Sequence, residues 1–167
     1  MDGAITKAPL GGGATGPNPT DRAKSGTKRS LATEGRGIPI GITVAGANRH
    51  DKKLVKSTLD SMPIKRPSSK KVKQNICMDK GYDFPDIREL VEQYGYTAHI
   101  PYKGDKKKCK KLPRYRKRAR RWVVERTHSW MNRFRRLLVR WEKREDNYIA
   151  MLHLACAWIT FSQSGLF

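Results

Sequence analysis

Three acidic residues, Asp2, Asp79 and Glu125, stand where carboxylates could serve phosphodiester chemistry. Cleaving such a bond needs an activated oxygen nucleophile and a stabilised leaving oxygen. Two divalent cations about 4 Å apart do both when hard oxygen ligands hold them. Carboxylates at strand ends and on a neighbouring helix can converge for that purpose without deep burial. Asp79 closes a short apolar run, Asp2 opens the first strand, and Glu125 interrupts an otherwise basic helical stretch from Arg114 to Glu142. The other acids have simpler roles. Asp51 and Asp83 read as helix caps. Asp21 falls in a Gly/Pro loop beside Arg22, Glu34 in a turn, and Glu89 and Glu92 on the exposed side of a helix. Glu125 also fits a plain charged face, paired with Arg121 or Ser129 one turn away. Spacing alone leaves open whether the three acids meet.

The composition says what such a site would act on. The chain has 167 residues, the size of one domain with a real core, and carries 36 Lys and Arg against 15 Asp and Glu, a net charge of +21. That imbalance repels itself in the folded state and makes sense beside a polyanion, whose neutralised phosphates release counterions. A basic membrane module would need a lipid-facing apolar helix or a lipidation signal, and neither is evident. The apolar stretch Tyr148–Phe161 is interrupted by His153 and reads as a buried core helix. Cys77, Cys109 and Cys156 show no metal-ligand spacing and read as reduced thiols of a cytoplasmic protein.

The elements that must position the acids follow from pattern. A first strand lies around Ala4–Lys7, and residues 8–26 form an irregular loop rich in Gly and Pro. Thr27–Thr33 and Ile38–Ala45 read as a hairpin turned at Glu34-Gly35-Arg36-Gly37. A helix capped near Asn48 and Asp51 runs to Ser61, before the breaks at Pro63 and Pro67. Gln74–Met78 is a buried strand ending at Asp79; Phe84–Tyr94 is a helix with Pro85 in its first turn, and Thr97–Pro101 a further strand. A basic loop spans 103–117. A long helix is predicted over Arg118–Arg144, and a last one over Asp146–Gln163. The order implies one mixed α/β domain over residues 1–167, with a sheet flanked by helices.

At 100° per residue, Val123, Thr127, Trp130, Phe134, Leu137, Leu138 and Trp141 share one side of the long helix and must pack. Glu125, His128, Ser129, Asn132, Arg136 and Arg140 fall on the opposite side, with Arg133 at its edge. Tyr82 fits either a DNA contact or simple packing. Trp122, Trp130 and Trp141 could stack on bases, although Trp130 and Trp141 stand at core spacing.

Several short segments together resemble one family. They are Met1-Asp2-Gly3, Gly16-Pro17-Asn18-Pro19-Thr20-Asp21-Arg22, Gly26-Thr27-Lys28 and Ala47-Asn48-Arg49-His50-Asp51. Asp79-Lys80-Gly81-Tyr82-Asp83 follows, then Arg121-Trp122-Val123-Val124-Glu125-Arg126, with Trp130 and Arg135-Arg136-Leu137 beyond. In this order they resemble the DDE transposases of bacterial insertion sequences, the group usually numbered five. The resemblance implies a ribonuclease-H-like, five-stranded mixed sheet and a metal-binding catalytic triad of Asp2, Asp79 and Glu125. It implies two Mg²⁺ ions, for which Mn²⁺ can substitute, and strand cleavage and transfer at element ends and target DNA. Where such proteins carry a Tyr-Arg-Glu-Lys signature, Arg121 and Glu125 match, but Arg118 takes the Tyr position and Asn132 the Lys position. The phosphate-contacting role then passes to Arg133 or Arg136, and the DNA-facing set comprises Tyr82, Arg121, Arg126, Asn132, Arg133, Arg136 and Arg140. Family members usually carry an N-terminal helical DNA-binding region, which this reading expects to be missing from residues 1–167. That implies a homodimer or a partner chain supplying the region, acting in the bacterial cytoplasm at the nucleoid. A catalytically inactive fragment that only binds DNA, or a structure-specific nuclease or resolvase of similar fold, would share most of these features.

Overall fold

The structure, a computed structural model, describes residues 1–103, 120 and 122–165. Strands β1 (Asp2–Lys7), β2 (Gly16–Pro17), β3 (Ser25–Thr33) and β4 (Pro39–Gly46) form an antiparallel sheet in which β3 pairs with the other three. Asp2 lies opposite Leu31 and Lys7 opposite Gly26. The β3–β4 turn is where the sequence puts it. Gly37 takes φ +93°, and Glu34 Oε1 accepts from the N–H groups of Arg36 and Ile38 at 2.6 and 3.0 Å. A Cβ on Gly37 would come within 3.0 Å of the Arg126 guanidinium, so the turn also docks on a helix.

After β4, a 3-10 turn over Asp51–Leu54 leads into α1 (Val55–Asp60). β5 (Gln74–Cys77) and β6 (Tyr96–His99) pair in parallel, with α2 (Pro85–Gln93) between them. The fold is thus mixed α/β, with hydrogen-bonded strands divided between a four-stranded and a two-stranded group rather than one five-stranded sheet. The two groups adjoin where the Met1 amine donates to Cys77 O at 2.9 Å.

Side-chain alternation along β3 builds two cores. Ala32 faces Met1, Val55, Leu59, Ile76, Met78, Tyr82 and Val91. Leu31 faces Val124, Met131, Leu137, Tyr148, Leu152 and Ile159.

The long predicted helix is broken. α3 covers Trp122–Met131, the single turn α4 covers Arg135–Leu138, and the chain then runs extended. The cause is tertiary. Val139 bridges to Lys7 and the Arg140 N–H donates to Lys7 O at 2.8 Å, so the backbone gives up its helix to extend along β1. Two expectations fall with it. Leu138 and Trp141, assigned to the packed stripe, are half exposed, while His128 and Arg140, assigned to the outer side, are buried. The last helix, α5 (Glu145–Ser162), buries Tyr148, Leu152, Ala155 and Ile159, but Leu154, Trp158 and Phe161 face outward, so it is a half-buried helix rather than a fully buried one. Among the described residues no helix is long and apolar enough to cross a membrane. Cys77 and Cys156 are free thiols. Cys109, Arg121 and the basic loop beyond Lys103 lie outside the described residues.

Candidate active site

The first strand delivers Asp2 to the edge where the two strand groups meet. Its register partner is Leu31, and directly opposed residues share a face, so Asp2 points to the side that α3 covers. The carboxylate accepts from its neighbour Gly3 N–H at 2.9 Å. Burial pushes its pKa above the ordinary carboxylate value. The Gly3 hydrogen bond and the terminal amine oppose that shift, while the charges of Asp79 and Asp51 reinforce it. Asp2 and Asp79 therefore stand within electrostatic reach of each other.

Asp79 lies two residues beyond the end of β5, where its apolar run stops. Its carboxylate caps a 3-10 turn over Lys80–Tyr82, accepting from Lys80 N–H at 2.6 Å. Glu125 projects from the exposed side of α3. The next turn of that helix brings His128 against the Asp2 backbone, so α3 is docked on the strand that carries the first acid. Residues three apart on a helix are neighbours. A groove of 460 Å³, lined by Met1, Asn75, Cys77, His99, Arg120 and Val123, lies between β5 and the start of α3. Asp2 and Asp79 feel each other's charge, and Glu125 is exposed on the helix that docks on β1. Among the described residues, no three Asp, Glu, His or Cys side chains converge closely enough to cage a metal ion. The donor chemistry nonetheless suits a hard divalent cation. Both central acids offer oxygen ligands, and their mutual repulsion is what a cation relieves.

His128 is a residue the helical pattern misplaced. It is buried beside Asp2 and Arg29; burial, with the Arg29 charge adding, pushes its pKa down to about 4, so it is neutral near pH 7. Asp51 was also misread. The cap of its turn is His50, whose Nδ1 accepts from Lys52 N–H at 3.2 Å, while Asp51 pairs with the buried Lys28 at 3.1 Å. Asp83 does not start α2, whose N-cap is Phe84: it is the C-cap of the 3-10 turn, and its carboxylate binds Arg88 at 2.7 Å and accepts from Lys103 N–H at 2.6 Å. The only signal that could have marked Asp51 was its place in the segment Ala47–Asp51.

The residues assigned to DNA separate into two groups. Arg133 and Arg136 are exposed, with Arg136 also pairing to Glu142 at 3.1 Å. Arg126 is half-buried, its guanidinium 4.8 and 4.7 Å from the Trp122 and Trp130 rings and donating to Arg36 O. Asn132, Tyr82 and Arg140 work inside the fold, and Arg121 lies outside the described residues. Asn132 accepts from Arg29 at 2.7 Å, and Tyr82 is packed in the core. Arg140 is 1% exposed, donating to Thr27 Oγ1 at 2.7 Å and lying over the Tyr148 ring, which leaves no surface for a phosphate.

Comparison with known proteins identifies the family. No solved structure matches the chain. It is 36% identical over 157 residues to a putative transposase for the insertion sequence element IS402 from Burkholderia cepacia, covering 89% of this chain and 69% of that protein. The model of the transposase DDE domain matches residues 1–160, with Asp2, Asp79 and Glu125 all inside the match. The chain belongs to the DDE transposase family.

Proposed function

We propose that this chain is the catalytic domain of an insertion-sequence transposase that cleaves and rejoins DNA strands, with Asp2, Asp79 and Glu125 as its acids. The observation that supports the reading is that the strand ends bearing Asp2 and Asp79 adjoin closely enough for the Asp79 charge to raise the Asp2 pKa, with the helix that carries Glu125 docked on the Asp2 strand. Two such acids repel each other unless a cation stands between them, and a third on α3 completes the hard-oxygen set. Bound divalent ions, Mg²⁺ or Mn²⁺, would polarise the phosphodiester and stabilise the oxygens that gain charge. The chain's own part is to hold the acids on rigid elements, β1, β5 and α3, and to gather the polyanion with its net charge of +21. In this reading the two strand groups are halves of one ribonuclease-H-like sheet, in the order β4-β3-β1-β5-β6.

Arg126 on α3, the exposed Arg133 and Arg136 that follow it, and Arg121 supply phosphate contacts. The substrate is double-stranded DNA, at element ends and target, and a dimer or partner chain completes its recognition. The test is nicking of a duplex carrying an element end with Mg²⁺ or Mn²⁺. Asp79→Ala and Glu125→Ala should each abolish nicking while DNA affinity stays or rises. Nicking that survives in both variants would overturn the assignment.

A further inference from the structure

A groove of 750 Å³ is lined by Thr43–Gly46 of β4 and by the segment that joins β4 to α1. That segment contributes Asn48, Arg49, His50 and Lys53, and no acidic residue lines the groove. The acid next in the chain, Asp51, is engaged elsewhere, with Lys28 at 3.1 Å. The Arg49 guanidinium and the Lys53 ammonium are exposed, and neither has an ion pair or a hydrogen bond among the described residues. Two cations on a solvated surface need no explanation by themselves. Their setting does.

The fold fixes the backbone that carries them. Arg49 N–H donates to Gly46 O at 2.9 Å, and Arg49 O accepts from the buried Lys28 ammonium at 2.7 Å, so both polar groups of that residue's main chain are tied down. Asn48 Oδ1 sits in a notch between two glycines: a Cβ on Gly46 would come within 2.9 Å of it, and one on Gly16 closer still. The notch takes the oxygen end of the amide, and the Asn48 side chain has no hydrogen bond among the described residues. His50 Nδ1 accepts from Lys52 N–H at 3.2 Å, which leaves Nε2 to carry the proton of the neutral ring. An amide, an imidazole N–H, a guanidinium and an ammonium thus line one groove with no carboxylate among them. That set donates hydrogen bonds and carries positive charge, as the oxygens of a phosphodiester backbone require.

We propose that Asn48, Arg49, His50 and Lys53 form a phosphate-binding groove for the DNA backbone, and that Lys52 and Lys103 continue it to the turn after Asp79. The His50 ring meets Phe84 edge-on at 5.6 Å, and the Lys52 and Lys103 ammoniums stand 4.3 and 4.2 Å from the same ring. Phe84 follows Asp79 by five residues, so one aromatic side chain joins the groove to the turn of that acid. The inference rests on the reading of DNA as the substrate and adds contacts separate from Arg126, Arg133 and Arg136. A cation that meets a phosphate releases condensed counterions, so its removal is read directly in the salt dependence of binding.

Fluorescence anisotropy of a labelled DNA duplex, titrated with the full chain at several KCl concentrations, gives the slope of log K against log salt. Arg49→Ala and Lys53→Ala should each make that slope shallower by about 1, and the double variant by about 2. Both side chains are exposed, so the variants should keep the circular dichroism spectrum of the wild type. Asn48→Asp retains the shape but sets a carboxylate in the groove, and should weaken binding by roughly 10-fold at fixed salt. Lys70→Ala is the control, removing the same charge from an exposed site in the loop before β5, and should leave the slope as it is. Unchanged slopes in both Ala variants, unchanged affinity in Asn48→Asp, or an equal change in Lys70→Ala overturns the proposal. A wild-type chain that binds the duplex without salt dependence removes the reading of DNA as substrate, and this inference with it. A slope that falls in Arg133→Ala but not in Arg49→Ala or Lys53→Ala removes the inference only.

Discussion

Neighbouring residues of β3 send a buried cation to each face of the sheet, and the two are matched in opposite ways. Lys28 points to the side covered by α1 and meets a carboxylate, Asp51. Arg29 points to the side covered by α3 and α5 and meets neutral oxygens, Asn132 Oδ1 at 2.7 Å and Leu137 O at 3.4 Å. An ion pair with an edge open to water neutralises charge cheaply and leaves one carboxylate oxygen for other work. A guanidinium enclosed by neutral acceptors is a strut, joining β3 to α3 and to α4 where the helical run breaks. The first arrangement is half open to solvent at its carboxylate; the second is closed inside the fold. Burial keeps the Arg29 charge costly, lowering its pKa, and that charge in turn helps hold His128 neutral.

The sharpest way to break this contrast is to remove the strut. Arg29→Ala leaves Asn132 Oδ1 and Leu137 O without their donor and opens a void between β3 and α3. It should cost roughly 3 kcal/mol, read as a drop in the urea midpoint with the slope unchanged. A midpoint equal to the wild type would show that the guanidinium bears no structural load.

His128 reports on the same face through pH. Its folded pKa of about 4 lies below the ordinary 6.5, so between those values the unfolded chain takes a proton that the folded chain refuses. Stability contributed by the neutral ring is complete above pH 6.5 and is lost as pH falls toward 4, by up to about 3 kcal/mol. Asp2 acts in the opposite sense, because its raised pKa lets the folded state hold a proton longer. The difference between wild type and His128→Gln isolates the ring. Unfolding free energies measured at pH 7 and pH 5 should converge for the variant and diverge for the wild type. Parallel curves would mean that the imidazole is solvated.

What could be read in the sequence was what local chemistry decides. β3, β4 and their turn were legible because alternation and Glu34–Gly37 specify them without distant help. Asp79 was legible because an apolar run stops there. The break after Met131 was not. Phe134, Leu137, Leu138 and Trp141 keep helical spacing, and what overrides them is a backbone bond from Arg140 to Lys7, more than a hundred residues away in sequence. Arg140 looked like a surface cation for the same reason: nothing local says that Thr27 and Tyr148 will enclose it. Asp51 sits in a position that suits a cap, and only the reach of Lys28 across the sheet gives it another task.

The acid side can be probed from β1. Gly3→Ala places a Cβ on Asp51 Oδ1, and backbone on both sides resists movement, so the carboxylate must swing away from its seat. Overpacking of this kind costs about 2 kcal/mol. A variant as stable as the wild type would mean that the 48–54 segment rides freely above β1.

The smallest expected effect bears most directly on the contrast between the two cations. Asp51→Asn removes the anion facing Lys28 but leaves its bond to Arg49 O, and the pair is open enough at Asp51, 35% exposed, for water to replace the lost carboxylate. The stability loss should be about 1 kcal/mol, a third of that for Arg29→Ala, in the same urea titration. If Asp51→Asn costs as much as Arg29→Ala, the pair is a structural lock like its neighbour.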